Sequence, residues 1–226
     1  MALAADLAYF YYPQYRWAKR LCALLPPYLA ERETQVVDAP CGDGVVSYWL
    51  LRSGKFANAF QLFDRSAESI AQVKRFISAH PAATAAAGDI FTIPAAEPRR
   101  DVWLLVNSLY LLPEIDRLVA RMRPRFRVII GIFPHLDRPN IRYYIQRTGH
   151  DENINKMDVA ETVAFFARHG YRLEHREDVG FISQFRWSGP GLRRLLNLVE
   201  PFAGRRQGNY WLGVFGRDEG HASGAR

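Results

Sequence analysis

The stretch "VVDAPCGDGVVSYWLL", residues 36–51, starts as an apolar run and stops at the carboxylate of Asp38. It then passes through a proline and two glycines and resumes its apolar residues at a different spacing. A short buried strand followed at once by an amphipathic helix gives this pattern, with a tight turn between them. Gly42 and Gly44 let that turn close and let a ligand approach the backbone without meeting a side chain. The helix that begins near Gly44 aims its free N–H groups and positive dipole end at the same crevice.

Working outward, the alternation continues almost from end to end. "NAFQLFD" is predicted as a second strand ending in Asp64, and "SAESIAQVKRFISAH" as a helix with Ile70, Val73, Phe76 and Ile77 on one face and Ser66 as its cap. "AATAAAGDI" is a weak third strand whose alanines would also suit a helix. "DVWLLVNSLYLL" is predicted as a fourth strand, "PEIDRLVARMRPR" as a helix and "FRVIIGIF" as a central parallel strand. After a looser segment, residues 134–156, a helix over "MDVAETVAFFARHG" and a strand over "YRLEHREDV" follow. A short helix near "GLRRLLNLVE" leads to a final strand, "GNYWLGVFGR". Strands alternating with helices imply a mostly parallel sheet covered on both faces, with ligands bound beyond the carboxyl ends of the strands. That rule places Asp38, Asp64, Asp89 and Asn107 on one rim.

Composition narrows the class. The 226 residues suit one domain, and 49% hydrophobic content suffices for a sizeable core. No apolar run reaches the ~18 residues of a membrane span, and the N-terminus lacks the pattern of a secretion signal. Cys22 and Cys41 cannot build a disulfide framework, and no Cys/His cluster has zinc spacing, so no metal is expected. The expectation is a soluble, reduced, cytoplasmic protein. The net charge of +7 comes almost entirely from scattered arginines rather than a focused basic stripe, which speaks against a nucleic-acid partner without excluding one.

On these residues the sequence resembles the class I S-adenosylmethionine-dependent methyltransferases. "VVDAPCGDG" is similar to that family's first motif, "FQLFDRS" to its ribose-binding acid, "AGDIFTIP" to its adenine-contacting segment and "DVWLLVNSLYLLP" to its fourth-strand motif. The resemblance runs from about residue 35 to residue 216. It implies a Rossmann-like α/β fold: a seven-stranded, mostly parallel sheet with helices on both faces and a C-terminal reversed β-hairpin. It implies S-adenosyl-L-methionine as cofactor, with Asp38 and the Gly42–Gly44 loop at the methionine portion and Asp64 at the ribose hydroxyls. Asp89 and the Ile90 backbone would take adenine, Arg65 would lie along the adenine face, and Asn107 would stand next to the reacting sulfonium. Pro40 departs from the family pattern, where glycine is frequent, and has no N–H to offer a ligand.

Each assignment has a plainer alternative. Asp38 can cap a turn, Asp64 can serve as the N-terminal acid of its helix, Asp89 can be a turn residue, and Asn107 can be a local cap. Residues 1–34, with the dense aromatic run "AYFYYPQYRW", form either a helical lid over the site or a helix packed on the core. Residues 35–216 form the domain, with 134–156 facing the acceptor, and 217–226 are a tail. Tyr11, Tyr15, Arg142 and Tyr143 are the candidate substrate contacts. His135 and Tyr110 are the candidate proton acceptors, against structural roles for both.

The implied reaction moves a methyl group to an oxygen or nitrogen of a small, planar or anionic molecule, chiefly by alignment. Three alternatives compete. One is an RNA or protein methyltransferase, although "NSLY" stands where an "NPPY"-type loop would. Another is a nicotinamide-dependent oxidoreductase, because "GDGVVS" approximates G-x-G-x-x-G. The last is a protein that binds the cofactor without turnover.

Overall fold

The computed structural model describes residues 12–93, 101–138, 141, 155–179 and 208–218, and side chains from residue 16 onward. Five helices and seven strands fall within this set: α1 Tyr12–Leu24, β1 Val36–Asp38, α2 Val45–Arg52, β2 Phe60–Asp64, α3 Ala67–Ile77, β3 Ala83–Ala87, β4 Asp101–Val106, α4 Ile115–Met122, β5 Phe126–Pro134, α5 Val159–Arg168, β6 Tyr171–Val179 and β7 Tyr210–Arg217. The strands form a single sheet in the order β3-β2-β1-β4-β5-β7-β6. β1 pairs in parallel with β2 and β4, as does β2 with β3 and β4 with β5. β7 inserts antiparallel between β5 and β6. The strand order reverses at β1, between β2 and β4, which opens a crevice beyond their carboxyl ends. The Rossmann-like sheet with a reversed C-terminal hairpin is the architecture expected from the sequence.

Unbroken apolar strands make sense because both faces of the sheet are covered. Successive residues alternate between two cores. Val36, Leu104, Ile130 and Leu212 face α1, α2 and α3 through Leu21, Leu50 and Val73. Val37, Trp103, Ile129 and Trp211 face α4 and α5 through Leu118, Met122 and Phe166. Helix α3 begins at the expected cap, where the Ser66 side chain accepts from the Ser69 amide. Helix α5 closes a reciprocal capping box between Asp158 and Glu161, which the sequence reading overlooked.

The fourth strand is shorter than expected. It ends at Val106, and Leu109–Leu111 form a 3-10 turn instead. Asn107 takes a left-handed conformation, φ 52°, that breaks the extended run. β3 is a strand despite its alanines, because it pairs along its full length with β2. The segments 1–11, 142–154 and 219–226 and the helix expected near "GLRRLLNLVE" lie outside the described residues. No helix among the described residues is long and apolar enough to cross a membrane.

At the opposite, amino-terminal ends of the strands, away from the crevice, a buried ion pair ties neighbouring segments together. Arg125 Nε donates to Asp101 Oδ2 at 2.8 Å, and Arg125 Nη2 donates to Gln61 Oε1 at 2.9 Å. The Gln35 amide donates to the second Asp101 oxygen at 3.0 Å.

Candidate active site

The crevice at the strand ends is a cavity of about 670 Å³. Its lining includes Asp38, Gly42, Asp64, Arg65, Asp89, Ile90 and Asn107, so most of the cofactor candidates converge on one space. The volume lies within the range of small-molecule sites.

Asp38, at the tip of β1, is 2% exposed. Ser47, in the first turn of α2, donates to Asp38 Oδ2 at 2.7 Å. Oδ1 is buried and has no partner among the described residues. Burial pushes the Asp38 pKa from 3.8 up to about 7; the Ser47 hydrogen bond opposes this, while Asp43 and Asp64 add repulsion. A buried carboxylate oxygen with nothing to accept from is costly unless a ligand supplies a donor, best of all a cation.

Gly42 and Gly44 divide the work of the loop. Gly42, φ 54°, lines the cavity, and a Cβ there would meet nothing within 4 Å, so the space beside its backbone is open to a ligand. Gly44, φ 68°, is absent from the lining; it caps α2, and a Cβ there would come within 2.6 Å of Val73 Cγ2. Its glycine is required by the approach of α2 to α3.

Asp64 anchors the loop and holds the turn that leads into α3. Oδ2 accepts from the Gly42 amide at 2.8 Å and Oδ1 from the Ser66 amide at 2.9 Å. Each carboxylate oxygen can accept more than one hydrogen bond, so both retain capacity towards the cavity. Asp89 Oδ1 accepts from the Phe91 amide at 2.9 Å, starting a 3-10 turn over Ile90–Thr92. The turn role and the rim position of Asp89 therefore coexist. Arg65 is exposed on the rim.

Asn107 donates its amide N–H to the Ile132 carbonyl at 2.7 Å. Its Oδ1 and the neighbouring Ser108 hydroxyl are buried without a partner among the described residues, and both residues line the cavity. Trp17, from α1, also lines it, and its indole Nε1 is likewise buried and unpartnered among the described residues.

The two candidate proton acceptors are elsewhere. His135 is buried, with Nε2 3.2 Å from Asp178 Oδ1 and Nδ1 3.9 Å from Asp137 Oδ1, and it is not in the described lining. Tyr110 is buried and also absent from that lining; its carbonyl accepts from the Asn155 amide at 3.0 Å. Of the substrate candidates, Tyr11, Arg142, Tyr143 and the Tyr15 side chain lie outside the described residues. Described groups that the sequence reading left unassigned are Ser47, Ser108 and an apolar wall of Phe63, Phe91 and Leu111, while Trp17 belongs to the aromatic run read as a lid or a core-packed helix. Ser47 alone had a usable signal: a small polar residue one turn into a buried helix, beside a buried acid.

Among the described residues no group of His, Cys, Asp and Glu could hold a metal ion. Burial and the nearby Asp38 and Asp64 push the Cys41 thiol well above its usual range, so it stays protonated.

Solved structures share this architecture. Magnesium protoporphyrin IX methyltransferase (ChlM) from Synechocystis, with bound SAH, superposes at a TM-score of 0.64 and 12% identity, covering 92% of this chain and 85% of that one. An S-adenosylmethionine dependent methyltransferase from Mesorhizobium loti gives 0.58 at 17% identity, covering 86% and 96%. The fold is that of the class I S-adenosylmethionine-dependent methyltransferases. The [4+2]-cyclase SpnF has it too, at a TM-score of 0.60 and 15% identity over 88% of this chain and 80% of that one, so the fold by itself does not name a reaction. No family model matches the chain, and no curated protein does.

Proposed function

We propose that the chain is an S-adenosylmethionine-dependent methyltransferase acting on an oxygen or nitrogen atom of a small molecule. The observation that carries the reading is Asp38: buried, on the cavity, and with one oxygen awaiting a donor. An α-ammonium group supplies that donor and a compensating charge. The open face of Gly42 suits close approach of the same ligand. Asp64 accepts the ribose hydroxyls, Asp89 and the Ile90 backbone take adenine, and Phe91 adds apolar surface beside them. When bound, S-adenosylmethionine supplies a methyl group already activated on a sulfonium.

The chain's own contribution is alignment and exclusion of water, which can lower a barrier by about 7–11 kcal/mol. Asn107 Oδ1 and the Ser108 hydroxyl orient the acceptor by taking its N–H or O–H. His135 receives no role, because Asp178 holds its Nε2 away from the cavity lining. Arg138, whose Nε is buried and unpartnered among the described residues, is the described arginine of the segment expected to face an anionic or aromatic acceptor. Residues 1–34 as a lid, 35–216 as the catalytic domain and 217–226 as a tail complete the proposal.

Isotopically labelled methyl donor, incubated with the protein and a cell extract, tests it. Label should enter the small-molecule fraction with the wild type and not with Asp38→Asn. The net charge of +7 allows RNA as the second reading, and label in the RNA fraction instead would replace the first with it.

A further inference from the structure

Five acids line the described cavity: Asp38, Asp43, Asp64, Asp89 and Glu114. Arg65 is the one described base among them, and it follows β2, at the Asp64 side. A ligand carboxylate placed near Asp38 therefore meets no lysine or arginine among the described lining residues, and must be held by a neutral donor.

Trp17 has such a donor. It is 4% exposed, lines the cavity and leaves its indole N–H unpartnered among the described residues. Its ring is fixed edge-on against Tyr210 at 4.9 Å between centroids. It shares a packed cluster with Val46, which also lines the cavity and immediately precedes Ser47, the residue that holds Asp38. A buried donor and a buried anionic acceptor thus line one cavity, and each lacks its complement. An α-amino acid supplies both, because its ammonium and carboxylate are carried on one carbon.

We propose that Trp17 Nε1 donates to the carboxylate of an α-amino acid moiety whose ammonium faces Asp38 Oδ1. This rests on the cofactor reading above and adds to it a carboxylate-specific contact. The site then distinguishes a nucleoside carrying a complete amino acid from one that has lost its carboxylate. The indole donates without charge, so it accepts the carboxylate without competing for Asp38.

The test compares S-adenosylhomocysteine with its decarboxylated analogue by calorimetry, on the wild type and on Trp17→Phe, which keeps an aromatic ring and deletes the N–H. The wild type should prefer S-adenosylhomocysteine at least fivefold. Trp17→Phe should lose most of that preference while binding the analogue as the wild type does. Equal loss for both ligands, or an unchanged preference, would overturn the proposal. If the wild type binds neither ligand, the cofactor reading itself has failed. If Trp17→Phe does not fold, the indole N–H resonance of Trp17 in the labelled wild type decides: it should shift with S-adenosylhomocysteine and stay in place with the analogue, and an unmoved resonance with both overturns the contact.

Discussion

Ser47 donates to one oxygen of Asp38 at 2.7 Å, and the other oxygen is buried without a partner among the described residues. The pair sets a carboxylate in place and leaves half of its hydrogen-bonding capacity for something else. Its pKa, raised to about 7 by burial, has two consequences of opposite sign.

In the ligand-free protein, ionised Asp38 is unfavourable. Its folded pKa lies above the unfolded value of 3.8, so its contribution to stability is complete below that pH and is lost as pH rises through about 7. Thermal melts of the free wild type should decline from pH 5 to pH 8 more steeply than those of Asp38→Asn. Parallel profiles would show that Asp38 does not titrate there.

Binding runs the other way. A ligand ammonium needs the ionised carboxylate, so affinity for S-adenosylhomocysteine should rise about tenfold between pH 6 and pH 8, following the ionised fraction of a group titrating near 7. Asp38→Asn should bind weakly and without that rise, as followed by calorimetry in matched buffers.

Asp64 accepts from the Gly42 and Ser66 amides and faces the cavity. Asp64→Ala should weaken nucleoside binding by about 1.5–3 kcal/mol, the value of hydrogen bonds to a charged group. Calorimetry with S-adenosylhomocysteine checks this, and unchanged affinity would remove Asp64 from the site.

Gly44→Ala should destabilise the protein by about 1–3 kcal/mol, since it forces a Cβ into Val73 at a left-handed backbone position. Gly44→Ala with Val73→Ala should lose less than the two single changes added together, because the second removes the obstacle to the first. Denaturant titration of the four proteins gives the coupling.

Asp101→Ala should cost about 3–5 kcal/mol by leaving Arg125 buried without its counter-charge. Nucleoside affinity of the remaining folded protein should stay the same, because the pair lies at the strand ends opposite the crevice.

Much of this was legible in the sequence, for identifiable reasons. β1 and β2 each end in an aspartate and β4 is followed at once by Asn107, and the glycines after Asp38 announce the turn, so one rim of the sheet could be assembled from spacing alone. Local patterns fell short where the backbone bends without a glycine: Asn107 adopts φ 52° and ends β4 early, and in "VNSLYLL" only the tolerance of asparagine for left-handed backbone hints at it. They also fell short where a contact joins distant segments. Trp17 reaches the cavity only because α1 packs over the sheet, and the hold of Asp178 on His135 depends on β6 lying beside β7. Gly44 looked like part of a ligand loop, yet its nearest constraint is Val73 on the next helix.

The most direct measurement is calorimetric titration of the wild type at pH 8 with S-adenosylmethionine, S-adenosylhomocysteine and NAD. Micromolar binding of both sulfur nucleosides and none of NAD is the predicted result. Heat from NAD alone, or from none of the three, would contradict it.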